Sequence, residues 1–551
     1  MKIDLKGHAF SRVLSLAAGL FILLTSGCKS VPAEPSPVTP QEIDAHIRFL
    51  SDDLLEGRAV GSRGIALAAL YQENYFRGLG LEPMFGGSYR QAFDLKGCTP
   101  DPSAACDIIG PQGKPILPAP LARIHEDFVL KSQREDCPQS VEGEMIYCGY
   151  LIQAPERNWD DFKGLDVKGK VLLCEINEPG NVPGGIFDGE DMTYYGRWTY
   201  KFEKAAELGA AGVLIIHNAK GAAYGWEVVR NGWSRESFFL SDLPQTLFFQ
   251  GWISGPAADN LFQAAGLDRK EIAGRAEKED FRPVALGLRA RVRQKPKFRL
   301  MPAENVAAVL RGDSNRGEDR WIVISAHYDH LGMDETLAGD QVYNGAVDNN
   351  SATAALLALA RSYAQSSPSA RPKANLVFAA VTAEEQVLLG SDYFARRLPF
   401  PASHVLADIN LEMTNVWGET EDVFAIGAKH SDLDEICRRA AEKIGLQYIP
   451  DQLGKLGFFF RSDQLSFARA GIPAAWLHHG FTSRGADKAF IQRKFDDYQK
   501  LKYHKVIDQI EPDWDYRGTI QIIRWAREII RSLDTSASLP QFKETSSFRR
   551  K

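Results

Sequence analysis

The chain has 551 residues, 44% of them hydrophobic and 25% charged, ordinary proportions that exclude a disordered, collagen-like or multi-span membrane protein. Its length allows about three or four domains, or fewer large ones. A formal net charge of -6 provides no basic field for nucleic acid, so none is expected as a partner.

Lys2, Lys6 and Arg12 precede an apolar run over 13–24 that is too short to span a bilayer comfortably. The run closes on Leu24-Thr25-Ser26-Gly27-Cys28. Small residues before a cysteine resemble a bacterial lipoprotein signal, in which residues 1–28 form the signal segment and lipid is attached at Cys28 after cleavage. Thr25 stands where an aliphatic residue is usual. Lys29, where aspartate would favour the inner membrane, leans towards outer-membrane retention. The expectation is a protein tied to the cell envelope through Cys28, facing the periplasm or the exterior. Residues 29–39, rich in proline, read as a tether.

Six of the seven cysteines lie beyond Cys28. Export would let disulfides persist. Cys98 with Cys106, and Cys137 with Cys148, are close enough in sequence to pair across loops. Cys174, inside the apolar run 171–173, reads as a buried thiol. No Cys-x-x-Cys spacing points to a structural zinc.

Thr39-Pro40-Gln41-Glu42 has capping-box spacing with proline at the first helical position, and Ile43, Ile47 and Leu50 follow at helical spacing. A second helix is predicted over 64–77. Residues 116–295 change character, with short apolar runs, many turn residues and one helix-then-strand unit over 204–216. After 300, apolar runs at 321–325, 376–381, 405–411 and 474–477 alternate with helical stretches such as 351–364. That alternation predicts an α/β domain whose central sheet is mixed, largely parallel and flanked by helices.

Sites in such sheets form beyond the carboxyl ends of the strands. The first run leads into His327-Tyr328-Asp329-His330, where alternation puts His327 and Asp329 on one face and His330 on the other. A carboxylate so placed can orient a metal-binding imidazole. Asp348 lies between a glycine-bearing loop and a helix start, where it could also serve as a helix cap. Glu384 and Glu385 follow the third run, and adjacent carboxylates can divide metal binding from proton transfer. Glu412 follows the fourth run, and His504 comes late in the chain. His478 and His479 read as packing or rim residues, His217 as structural, and Phe458, Phe459 and Phe460 as pocket wall or core. No Gly-x-Ser-x-Gly elbow or phosphate loop competes.

In this order the residues resemble the co-catalytic di-zinc exopeptidases, metallopeptidase family twenty-eight, which includes aminopeptidases and glutamate carboxypeptidase II. The likeness covers about 40–115 and 295–535. The segments Gly164 to Val171 and Lys204 to Asn218 resemble a β-rich protease-associated domain inserted at 116–295. The resemblance implies a peptidase domain made of 40–115 and 296–535, with 536–551 as a tail.

Carried over residue by residue, it implies that His327 and His504 each bind one of two zinc ions and that Asp348 bridges them. Glu385 and Glu412 would complete the two sites, Glu384 would be the general base, and Asp329 would orient His327. It also implies a cis peptide at Asp348–Asn349. The three carboxylate ligands and a bridging hydroxide would balance the charge of both ions, and peptides would be the substrates. Glu412 stands where aspartate is commoner, Ala352 where glycine is, and Gln464 where histidine is. Those last two departures bear on substrate preference. A catalytically silent binding protein of the transferrin-receptor kind and a single-zinc glutaminyl-cyclase-like enzyme remain alternatives. The insertion would cap the cleft or mediate homodimerisation, and the sequence leaves both open.

Overall fold

The computed structural model describes residues 35–136, 138–243, 247–312 and 319–548. The leader, Cys28 and Cys137 lie outside the described residues, and with them the anticipated lipid attachment and the Cys137–Cys148 pairing. Among the described residues no helix is long and apolar enough to cross a membrane.

Helix α1 (Pro40–Leu50) begins where Thr39 accepts a hydrogen bond from the Glu42 N–H at 3.3 Å, and Ile43, Ile47 and Leu50 are fully buried. The Glu42 carboxylate does not turn back to complete a capping box. It accepts from Arg361 Nη2 at 2.8 Å, tying α1 to a helix more than three hundred residues away. Helix α2 (Arg63–Gly78) is capped by Ser62, which accepts from the Ile65 N–H at 3.2 Å.

After the strand Arg90–Thr99 the chain builds a separate seven-stranded sheet. Its first strand, Ala105–Ile109, pairs antiparallel with Val284–Arg293, so this sheet starts ahead of the boundary anticipated at 116. The middle of the sheet is parallel, with Val171–Glu175 and Gly212–Ile216 side by side and helix α3 (Trp198–Glu207) between them in sequence. One piece of the insertion leaves that sheet: Ser237–Leu240 pairs antiparallel with Leu95–Cys98.

Among the described residues the largest sheet has ten strands. It contains β1 (Lys297–Leu310), β2 (Trp321–His327), β3 (Asn375–Val381), β4 (Val405–Asn410), β5 (Asp422–Ile426) and β6 (Ala474–His479). Strands β3, β2, β4 and β6 are neighbours in that order and parallel, as the alternating pattern predicts. Beyond them β1 and β5 run antiparallel, and Arg90–Thr99 extends the sheet past β1. The antiparallel flank is larger than expected because β1 and Arg90–Thr99 pair continuously from Lys297 with Thr99 to Val306 with Arg90.

Helix α4 (Ala352–Ala364) packs between the parallel strands and α1, α2 and the long C-terminal helix α5 (Arg517–Thr535). Its alanines allow close approach on every side, and Leu356, Leu357 and Leu359 are wholly buried. Burial all round is what its continuous apolar sequence demands.

The anticipated Cys98–Cys106 disulfide is not formed. The two residues sit on different sheets, both are buried free thiols, and Cys98 Sγ donates to the Ser132 carbonyl at 2.8 Å. Cys174 is a buried thiol, in line with its sequence surroundings.

Candidate metal centre

Beyond the carboxyl ends of β2, β3 and β4 the chain turns sharply, and each turn delivers polar side chains into one buried crevice. His327, the last residue of β2, has its Nε2 3.1 Å from Glu412 Oε1 and 3.3 Å from Asp348 Oδ1. Across the same aspartate, His504 Nε2 lies 3.2 Å from Asp348 Oδ2 and 3.2 Å from Glu385 Oε2. Asp348 thus stands between two groups of donors. The ligand atoms of His327, Asp348 and Glu412 all fall within 4.8 Å of one another, as do those of His330, Asp348 and Glu385. Glu384 reaches within 3.9 Å of His327 Nε2.

The supporting residues explain why these side chains converge. Asp348 is not the cap of α4, which starts at Ala352 with Ser351 as its boundary residue; its φ and ψ are non-helical. The loop before it depends on Gly345, at φ 58°, where a Cβ would stand 2.2 Å from the Asp348 carbonyl oxygen. The Asp348–Asn349 peptide is cis. Buried Asp508 accepts from the Val347 and Asp348 N–H groups at 3.0 and 3.1 Å and fixes the loop from below.

Ser462 donates to Glu412 Oε2 at 2.9 Å. The Asp329 carboxylate accepts from the backbone N–H groups of Glu384 and Glu385 at 3.1 and 3.3 Å. Its Oδ1 is 3.7 Å from His327 Nδ1, while its backbone oxygen is closer, at 3.3 Å. Asp329 therefore shapes the glutamate turn more directly than it orients the imidazole.

His330 departs from the sequence reading, which placed it on the opposite face. Its Nδ1 lies 2.7 Å from Glu385 Oε1. Strand β2 ends at His327, so two-residue alternation no longer applies three positions later. Arg58 is a further contributor: fully buried, it donates to the carbonyls of Tyr328, Leu50 and Asn344 and pins the N-terminal segment against the site loops. Burial holds its guanidinium down at about 10 despite the carboxylates nearby. Arg58, Asp508 and Ser462 act through contacts between residues far apart in sequence, which no local motif encodes.

The electrostatics call for cations. Burial pushes the Glu384 carboxyl well above its usual range, with Glu412 and Glu385 adding to that and His327 opposing it. At His327, burial favours the neutral ring, but Glu412 and Glu384 outweigh it and raise the imidazole well above its ordinary value. Burial disfavours charge at Asp348, yet His327 and His504 hold it well below the carboxylate range. Four buried carboxylates in one crevice are costly without compensating positive charge. Nitrogen and oxygen donors without thiolate suit a catalytic zinc ion.

The sequence profile of peptidase family M28 matches residues 305–526. The chain carries a peptidase family M28 domain. Its described part runs from β1 into α5 and contains every residue of both donor groups. A probable zinc metalloprotease of Pyrenophora teres f. teres (strain 0-1) is 37% identical over 109 residues, which is 20% of this chain and 22% of the relative. One from Pyricularia oryzae is 40% identical over 92 residues, 17% of each chain. The matched stretch therefore spans about a fifth of these curated relatives. Among solved structures, the aminopeptidase from Aneurinibacillus sp. strain AM-1 is similar, with a TM-score of 0.49 at 20% identity, covering 92% of this chain and 95% of that one. A zinc aminopeptidase from Bacillus subtilis aligns with a TM-score of 0.40 at 18% identity, over 93% and 99% of the two chains.

Within the M28 domain, a cavity of about 490 Å³ is lined by Leu453, Phe458, Phe481 and Phe495 among others. Phe458 packs 5.8 Å from Trp476, whose indole donates to the Glu412 carbonyl at 2.9 Å. Phe459 and Phe460 are buried, and His478 stacks on Phe424 at 4.6 Å inside the sheet. His217, in the insertion, meets the Tyr224 carbonyl at 3.0 Å. Gln464 accepts from Asn410 and donates to the Phe459 carbonyl, both at 2.8 Å, so it braces the wall behind Glu412.

Proposed function

We propose that the protein is a zinc-dependent exopeptidase of the aminopeptidase type that uses two zinc ions per chain. His327, Asp348 and Glu412 would hold one ion, and His504, Asp348 and Glu385 the other, with His330 bracing Glu385 from behind. When bound, the ions polarise the scissile carbonyl and make the attacking water acidic enough to lose its proton near neutral pH.

The observation that carries this reading is the position of Glu384. It lies 3.9 Å from His327 Nε2 with only 11% of its side chain exposed, is held by the turn that Asp329 fixes, and has its carboxyl raised by burial. A carboxylate so tuned accepts the water's proton and returns it to the leaving amine. The excess of acidic groups around the pair also favours a substrate bearing a free, cationic amino terminus. Two donor groups sharing one aspartate favour a two-metal centre over a single-zinc acyltransferase.

Glu384→Gln is expected to lower kcat by about 10²–10⁴-fold while zinc content, read by atomic absorption, stays that of the wild type. Undiminished turnover in the variant would remove Glu384 from this role. A panel of free and N-blocked peptides tests the aminopeptidase assignment, which requires the blocked peptides to be cut far more slowly.

A further inference from the structure

The cavity in the M28 domain takes its lining from the catalytic half alone, yet one of its walls is held by the insertion. Leu453, Leu456 and Phe458 form that wall, and Phe481 and Phe495 add to the apolar lining. The cavity adjoins the candidate metal centre through two segments. Its lining residues Gln499 and Lys500 lead directly into His504, and Phe458 stands against Trp476, whose indole holds the Glu412 carbonyl.

Among the described residues, the backbone of 453–457 hydrogen-bonds only to its near neighbours in sequence, with one exception. The Met192 N–H, in the insertion, donates to the Gly454 carbonyl at 3.2 Å. Around that bond Glu190 pairs with Lys455 at 2.7 Å and Asp191 with Lys429 at 2.8 Å. The Met192 side chain is buried in the core of the catalytic half, apart from the insertion's own cores. The approach is close enough to require bare backbone. A Cβ at Gly454 would stand 2.5 Å from the Asp191 carboxylate, and one at Gly457 would stand 2.9 Å from Met192 Sδ. Ion pairs open to solvent contribute little by themselves, so the buried methionine carries the contact and the pairs aim it.

We propose that Met192, seated by Glu190 and Asp191, is a positioning residue through which the insertion sets the width of this cavity, and with it the first side chain that the enzyme accepts. It acts through the loop 453–457, since none of the residues lining the cavity belongs to the insertion. The proposal rests on the peptidase reading above and adds that the insertion selects substrate by shaping a wall it does not itself form. The apolar lining suits an aliphatic side chain, and a wall free to retreat loses contact with it.

The test uses the zinc-loaded full-length protein and two peptides that differ only in a leucyl or glycyl first residue. The glycyl peptide leaves the cavity empty, so it reports on the metal centre alone. The wild type should prefer the leucyl peptide by at least about a hundredfold in kcat/KM. Met192→Ala should shrink that preference at least about tenfold, mainly through the KM of the leucyl peptide, and leave the glycyl rate in place. Gly454→Ala, whose Cβ claims the space of the Asp191 carboxylate, should act in the same direction. The two substitutions combined should do less than the sum of their separate effects, because they break one contact from its two sides. Equal losses on both peptides, an intact preference, or full additivity would overturn the brace.

Amide hydrogen exchange of the full-length protein without substrate separates this outcome from failure of the peptidase reading. Met192→Ala should speed exchange across 453–458 at least about tenfold while β2, β3 and β4 exchange as in the wild type. Faster exchange confined to that loop supports the brace even where no peptide is cut. Unchanged exchange there, or a rise shared by the strands, refutes it.

Discussion

His330 bears on Glu385 through one contact of 2.7 Å, and that contact sets what the second metal would feel. Groups that orient a metal ligand typically contribute 10–100-fold to affinity. His330→Ala should therefore weaken binding of one zinc ion by about 10–100-fold, leaving the other largely in place, as chelator competition would show. Equal loss of both ions would mean that His330 supports the whole loop, not Glu385 alone.

Gly345 offers a sharper case. Its φ of 58° and the 2.2 Å approach of a Cβ to the Asp348 carbonyl leave no room for alanine. Gly345→Ala is expected to cost about 1–3 kcal/mol of stability and to lower zinc content, measured by urea unfolding and metal analysis. At this scale the sequence was legible where a residue sat on or just past an apolar run, as His327, Glu384, Glu385 and Glu412 do. It was not legible where the chain had already turned, as at His330. Nor could it show partners brought in from afar, such as Arg58 and Asp508.

Among the elements, α4 is packed on nearly every side. Leu357 is wholly buried between sheet and helices, so Leu357→Ala should destabilise the protein by about 2–5 kcal/mol, visible as a lower urea midpoint with an unchanged slope. A smaller change would mean that neighbouring helices close the void. The helices and the four parallel strands could be read from apolar periodicity because each is buried on both sides or along one clear stripe. The edge of the insertion could not. Its first strand begins at Ala105 because Arg90–Thr99 and β1 run past the body of the sheet as a pair, and pairing across two hundred residues leaves no mark in local composition. The same separation explains Glu42, whose spacing from Thr39 fits a capping box while its carboxylate goes to Arg361.

Across the whole molecule, buried histidines set a pH response. Burial lowers His46, His430 and His479 to about 4 from an ordinary value of 6.5. Between those values the unfolded chain takes up protons that the folded chain refuses, so their contribution to stability is full above pH 6.5 and is lost as pH falls towards 4. For His46, whose Nδ1 meets the Tyr71 hydroxyl at 2.8 Å, the loss amounts to at most about 3 kcal/mol. His46→Gln should therefore lose less stability than the wild type between pH 6.5 and 4 in paired urea titrations. Parallel losses would show that this ring titrates normally.

The short strand Ser237–Leu240 has a consequence for engineering. Because the accessory lobe lends the neighbouring sheet its outermost ribbon, a shortened protein with the lobe excised would bare the outer backbone edge at Leu95–Cys98. Such an uncovered margin recruits other chains, so the truncated protein should clump unless that border is masked by charge or proline.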